Sequence, residues 1–357
     1  MKNIAKLLII VCIFGVFSLN ASATSPEDYI DEFEDILPEG VFEGKDIQDT
    51  ASIVGFDALL SEIYSIFTER GSEIISFLFL LLGGVIIMSV ASSLGGELSG
   101  ACEAGVGLVF STLIFGRIAE MFFEVRECAE ATASFFTALV PIMTGISVAS
   151  GSGAVATVQN TGMTLTLFII TSFAIPIFTS ITGFAMAMSL ITSFGDETAS
   201  AVTRGVKSAF TFCVSALTTT LGAVMSLQTI VASASDSAAM RAIRYAASGM
   251  IPVVGSAVSS SLSTLSAGLG YVKSIVGAGG IAVILALTVS PLIMLLLYRL
   301  ALSLAVGVSD MCLASSASRI FGAFRTALDT IIAVHAMCSV IFIFEIIVFM
   351  KGGAVSV

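Results

Sequence analysis

Charge is what this sequence has least of. Of its 357 residues, 11% are Asp, Glu, Lys or Arg, against about 25% in an ordinary soluble domain. From Ala131 to Gly195 there are 65 residues without Asp, Glu, Lys, Arg or His. A soluble fold could not show water so little charge and stay dispersed, so the chain reads as a polytopic membrane protein. Base is scarcer still than acid: 15 Lys and Arg stand against 26 Asp and Glu, for a net charge of −11. The basic residues form no cluster, which excludes a nucleic-acid binder. A single histidine, His335, excludes a multi-histidine metal centre. Cys102, Cys128, Cys213, Cys312 and Cys338 form no Cys-x-x-Cys pair and read as small apolar fillers, not as ligands or a disulfide framework. There is no Walker A loop, no Gly-x-Ser-x-Gly and no His-Glu-x-x-His. Gly151-Ser152-Gly153 is too short to cradle a phosphate. No catalytic residue, cofactor or metal is therefore expected, and the chain does not read as an enzyme.

What is present is apolar: 56% of residues are hydrophobic. Residues 1–23 have the layout of a secretory signal peptide, with Lys2 and Lys6 before an apolar core and Ala21-Ser22-Ala23 as a small-x-small cleavage site. The alternative is an uncleaved first span, for which the apolar core is short. Residues 24–50 hold ten carboxylates and one lysine. Cleavage would leave this acidic segment outside the cytoplasm, either docking a basic partner or as a solvated tail. Ile53, Phe56, Leu60, Ile63 and Phe67 then share one face of an amphipathic helix. Residues 24–73 are thus an acidic, amphipathic prelude to a membrane domain over 74–357.

That domain is expected to be an all-α helical bundle of about eight transmembrane helices, at 74–94, 104–122, 131–150, 163–187, 205–229, 247–268, 277–298 and 328–350. The second and fifth are the weakest, because charges intrude at their ends. Arg117, Glu120, Glu124 and Glu127 are spaced as one pairing face of a helix. At an offset of 100, Met88, Ser89, Gly95, Glu97 and Phe110 match Met188, Ser189, Gly195, Glu197 and Phe210. The simplest reading is a degenerate three-helix repeat, inverted between copies as in transporters and channels. The distribution of Lys and Arg does not fix an orientation.

Two groups of residues are functional candidates. Asp329, His335 and Glu345 are ionisable groups in the last span, where ionisable groups are costly and so mark function or pairing. At 100° per residue His335 and Glu345 lie about 80° apart around the helix, and Asp329 and Glu345 about 160°. A relay along one helix is not indicated, and Asp329 is expected to pair with Arg325, four residues earlier. Ser256, Ser259, Ser260, Ser263 and Ser266 lie opposite an apolar ridge of Val254, Val258, Leu262, Leu265 and Leu269. Such a serine face either packs closely on a neighbouring helix or borders a hydrated path. Pro141, Pro176, Pro252 and Pro291 fall in or at the start of spans and invite kinks.

The stretch Ser248-Gly249-Met250-Ile251-Pro252-Val253-Val254-Gly255, running on to Tyr271-Val272-Lys273-Ser274-Ile275-Val276-Gly277, resembles the stage III sporulation protein AE family of endospore-forming bacteria. So do Phe136-Thr137-Ala138-Leu139-Val140-Pro141 and the order of signal peptide, acidic segment and many spans. The resemblance implies a membrane component of the channel-like complex linking mother cell and forespore, in the mother-cell membrane around the forespore. Implied partners are the other stage III A proteins, including ring-forming subunits and an ATPase, and the forespore-side channel partner. It implies no catalytic residue. The alternative reading is a free-standing secondary transporter or permease with inverted repeats.

Overall fold

The computed structural model describes residues 56–93, 97–149, 153–191, 205, 208–228, 230 and 255–351. The signal peptide, the acidic segment and Pro252 lie outside the described residues. Helix α1 runs Phe56–Ser93 and α2 Glu97–Ala149. Helices α3 (Gly153–Ile169) and α4 (Ile175–Ile191) are joined by a π turn, Ile170–Ala174. Helix α5 is Ser208–Gln228, α6 Gly255–Met311 and α7 Ser315–Lys351. Six segments are long and apolar enough to cross a membrane, α3 and α4 counting as one.

Eight expected spans thus become six among the described residues, and two fusions account for the difference. The spans expected at 104–122 and 131–150 are parts of one 53-residue helix. The charges at their ends are carried on its surface, as their helical spacing implied. Arg117 pairs with Glu120 at 3.3 Å and Arg126 with Glu130 at 2.8 Å, spacings that support a helix. The described part of the span expected at 247–268 is likewise continuous with 277–298 in the 57-residue α6. Two glycines at the junction of the expected spans are no breaks, because partners use the space. Gly280 lies under Leu139 and Ile346, and a Cβ on Gly277 would overlap Met350. At 1.5 Å per residue α2 and α6 reach about 80 Å and 86 Å, well over twice a bilayer core of about 30 Å. The pairs Met88/Met188 and Phe110/Phe210 are buried in both expected copies, but the unbroken α2 does not supply the separate second and third helices of a three-helix unit.

Successive spans run in opposite directions. Gly162 on α3 faces Gln228, and Phe178 on α4 faces Phe210 at 5.6 Å, so α5 descends as α3–α4 rises. Helices α6 and α7 form an antiparallel hairpin held by His335 to Thr288 and by Arg299 to Asp329. The hairpin turns at Leu313, a non-glycine residue at φ 56°, closed by the Ala314 N–H on the Ser309 carbonyl at 2.9 Å.

Two apolar cores lie along this hairpin. One gathers α1, the first half of α2 and the turn end of α6 and α7 around Leu81, Ile118, Leu302, Phe321 and Phe324. The other gathers the second half of α2, α3–α4, α5 and the open end of the hairpin around Phe136, Met143, Phe178, Ile284 and Phe342. Partly exposed ion pairs lie near the level where the two cores meet: Arg70 on α1 with Glu124 on α2 at 2.8 Å, Arg126 with Glu130, and Arg299 with Asp329. Phe77 against Tyr298, at 4.7 Å, ties α1 to α6 beside this belt. From Asp329 to Lys351 is 22 residues, about 33 Å, one bilayer core in length.

Proline explains two local features. Pro176 has no N–H, and just before it the Ile175 N–H reaches five residues back to the Ile170 carbonyl, which is the π turn. Pro291 leaves the Leu287 carbonyl without its usual donor. The Cys128 thiol on α2 donates to that carbonyl at 3.0 Å. Cys128 is thus more than a filler: it caps the gap a proline opens in a neighbouring helix.

Candidate functional site

The open end of the hairpin contains a buried polar cluster drawn from five helices. Glu345, on α7, is fully buried. Its Oε1 accepts from the Thr166 hydroxyl of α3 at 2.5 Å and from the Gln228 amide of α5 at 3.4 Å. Nearby, Ser147 of α2 donates to Gln159 Oε1 of α3 at 3.3 Å, and Gln159 Nε2 donates to the Val348 carbonyl of α7 at 3.4 Å. Thr144 lies 3.2 Å from Asn160 Oδ1. The ammonium of Lys273, on α6, stands 4.7 Å above the Phe349 ring, one turn beyond Glu345.

Local sequence positions these groups. Thr166 follows Gln159 by seven residues, two turns along one face of α3. Gly162, between them, has no side chain, and Gln228 lies across its backbone. Glu345 and Val348 are three apart on α7 and meet that same face. Interhelical bonds of this kind hold membrane helices together where hydrophobic burial cannot.

The ionisable candidates part company. His335 donates from Nε2 to the Thr288 carbonyl of α6 at 2.9 Å. A carbonyl only accepts, so the proton is assigned to Nε2. Glu345 faces α3 and α5, so the two do not meet, as their helical angle implied. Asp329 pairs with Arg299 of α6, not with Arg325. An interhelical partner is within reach because α6 passes directly beside α7 there. Ser256, Ser259, Ser260, Ser263 and Ser266 lie on the helical backbone of α6, and their side chains lie outside the described residues. No group of three or more His, Cys, Asp or Glu that could hold a metal ion occurs among the described residues.

A cleft of about 590 Å³ opens beside the π turn, lined by Arg126, Glu130, Thr137, Thr171, Pro176 and Thr179. It lies at the level of the ion-pair belt, away from Glu345.

A model of the stage III sporulation protein AE family matches residues 32–353. The chain belongs to that family. No curated protein and no solved structure matches it. Membership gives the chain a role in stage III of sporulation, and six long apolar helices make it a multi-pass membrane protein.

The Arg299–Asp329 pair gives a direct check of the hairpin. Arg299→Asp sets two carboxylates against each other between α6 and α7 and should lower the amount of protein in membranes. The exchange Arg299→Asp with Asp329→Arg should restore it, whereas Arg325→Ala should change little. Immunoblots of membrane fractions read all three; failure of the exchange to rescue would dismiss the pairing.

Proposed function

We propose that the chain is a membrane subunit of the channel-like assembly that connects mother cell and forespore, and that spore development requires it. It sits in the mother-cell membrane around the forespore. Its partners are the other stage III A proteins, among them ring-forming subunits and an ATPase, and through them the forespore-side partner. In this reading residues 1–23 are a signal peptide, and the acidic segment 24–50 faces the space outside the mother-cell cytoplasm. The subunit itself does no chemistry.

The observation that carries the reading, beside family membership, is how little of some spans the chain covers. Only 17% of the α5 window and 22% of the α3–α4 window are buried, against 50% for α6 and for α7. A face of this kind suits lipid or neighbouring subunits. Hydroxyls on α5 are satisfied within the helix: Thr219 donates to the Ser215 carbonyl and Ser226 to the Gly222 carbonyl, each at 2.7 Å. They can therefore meet an apolar neighbour without an unpaired donor.

A free-standing transporter is the second reading, favoured by one feature: a buried carboxylate shared by three helices. Depletion distinguishes the two. Cells depleted of the chain only after sporulation begins should complete engulfment and yield almost no heat-resistant spores, with vegetative growth unchanged. Normal spore counts would refute the subunit reading. Growth defects in vegetative cells would favour the transporter.

A further inference from the structure

The cluster around Glu345 is incomplete in one chemical sense. Its donors converge on one oxygen: the Thr166 hydroxyl and one N–H of the Gln228 amide both point at Glu345 Oε1. Two acceptors remain, Glu345 Oε2 and Gln228 Oε1, and neither meets a donor among the described residues. Glu345 is fully buried and Gln228 is 3% exposed, so bulk water does not complete them. No basic side chain among the described residues lies within ion-pair distance of Glu345. A buried acceptor left unpaired destabilises the fold, and a charged one does so more. With the Lys273 ammonium set over the Phe349 ring one turn away, what these two oxygens lack is a cation shared between them.

We propose that Glu345 and Gln228 together hold one monovalent alkali cation between α3, α5 and α7. A single carboxylate balances one positive charge. A neutral amide oxygen and a hydroxyl oxygen are the hard ligands such an ion takes. A divalent ion would ask for further carboxylates, and none accompanies Glu345 in a ligating group among the described residues. The site lies toward the open end of the hairpin, six residues before Lys351. Bound there, it would fasten α5, one of the least covered spans, to the α6–α7 hairpin.

The test is the thermal stability of the purified full-length protein in detergent. The chain has no tryptophan, so unfolding is followed by the reaction of buried Cys338 with a thiol-reactive fluorophore. Sodium chloride and potassium chloride are titrated against choline chloride at constant ionic strength. A saturable rise of a few degrees with one or both salts over choline is expected, as for any ligand that binds only the folded state. The salt that works identifies the ion. Glu345→Gln should abolish the rise whatever its own melting temperature. Gln228→Met, which keeps length but removes Oε1, should shift half-saturation at least tenfold upward. Radioactive sodium, or rubidium in place of potassium, should bind the wild-type protein at about one ion per chain. No rise over choline, an equal rise in Glu345→Gln, or a stability that follows pH and not the cation would overturn the proposal.

Discussion

Gly162→Val should strip most of the protein from the membrane fraction, while Gly183→Ala leaves it at its normal level. Both glycines lie on the α3–α4 span, and their surroundings differ. A Cβ on Gly162 would overlap Gln228 Nε2, Cδ and Cγ, the last at 2.5 Å. Gln228 is itself buried between helices and cannot simply swing outward. Overpacking of this kind costs about 1–3 kcal/mol. Displacing Gln228 also strips Glu345 of a donor, another 1–3 kcal/mol or so for a buried polar group. Losses of that size exhaust much of a marginal stability and change abundance several-fold in cells. At Gly183 nothing lies within 4 Å of an added Cβ, so alanine there should gain the roughly 1 kcal/mol by which it is the better helix former. Immunoblots of membranes and thermal unfolding in detergent read both variants. Equal behaviour of the two would show that Gln228 does not lie against α3.

Phe136→Ala should be the most destabilising truncation of a single side chain in the bundle. Phe136 is fully buried on α2 and meets Phe342 of α7 at 4.9 Å between ring centroids, inside the core around the open end of the hairpin. Phe→Ala in a close-packed core costs about 3–5 kcal/mol, transfer and cavity together. The melting temperature of the purified protein should fall by roughly 5–15 °C. Phe212→Ala on α5 is the control, since Phe212 is 74% exposed and faces outward; it should move the midpoint by little. A reversed order of the two variants would mean that α5, and not the α2–α7 contact, lies at the centre of the fold.

The class of the fold was legible from composition, because a charge-free run of 65 residues has few homes other than a bilayer. The number of spans was not. Hydropathy windows break wherever charge or glycine appears, yet a helix continues through both when the charges pair along it, as Arg126 does with Glu130, or when a partner fills the glycine's place, as Leu139 does over Gly280. Glu345 was found because it can ionise. Its partners were missed because they cannot. A signal was nonetheless present: Gln159, Asn160 and Gln228 are the only carboxamide side chains after residue 50, and the structure brings all three to the same end of the bundle. A carboxamide costs several kcal/mol to bury unpaired in lipid, so each one inside an apolar span is a question about its partner. The role of Cys128 was not legible, because its acceptor is created by a proline 163 positions away in sequence. Asp329 was misassigned for a related reason: spacing along one helix points to Arg325, and only the packing of α6 on α7 brings Arg299 closer.

Capture from its own membranes tests whether this multi-pass protein works as one part of the stage III sporulation assembly. The full-length chain, tagged at its C-terminus and still supporting sporulation, is solubilised in mild detergent from sporulating cells and purified by the tag. The account predicts that other stage III A proteins co-purify at a fixed ratio to the chain. It also predicts that Gly183→Ala keeps that ratio and that the purified chain alone moves no solute across vesicle membranes. A chain recovered free of those partners under conditions that preserve its own fold, together with solute flux by the chain alone, would contradict it.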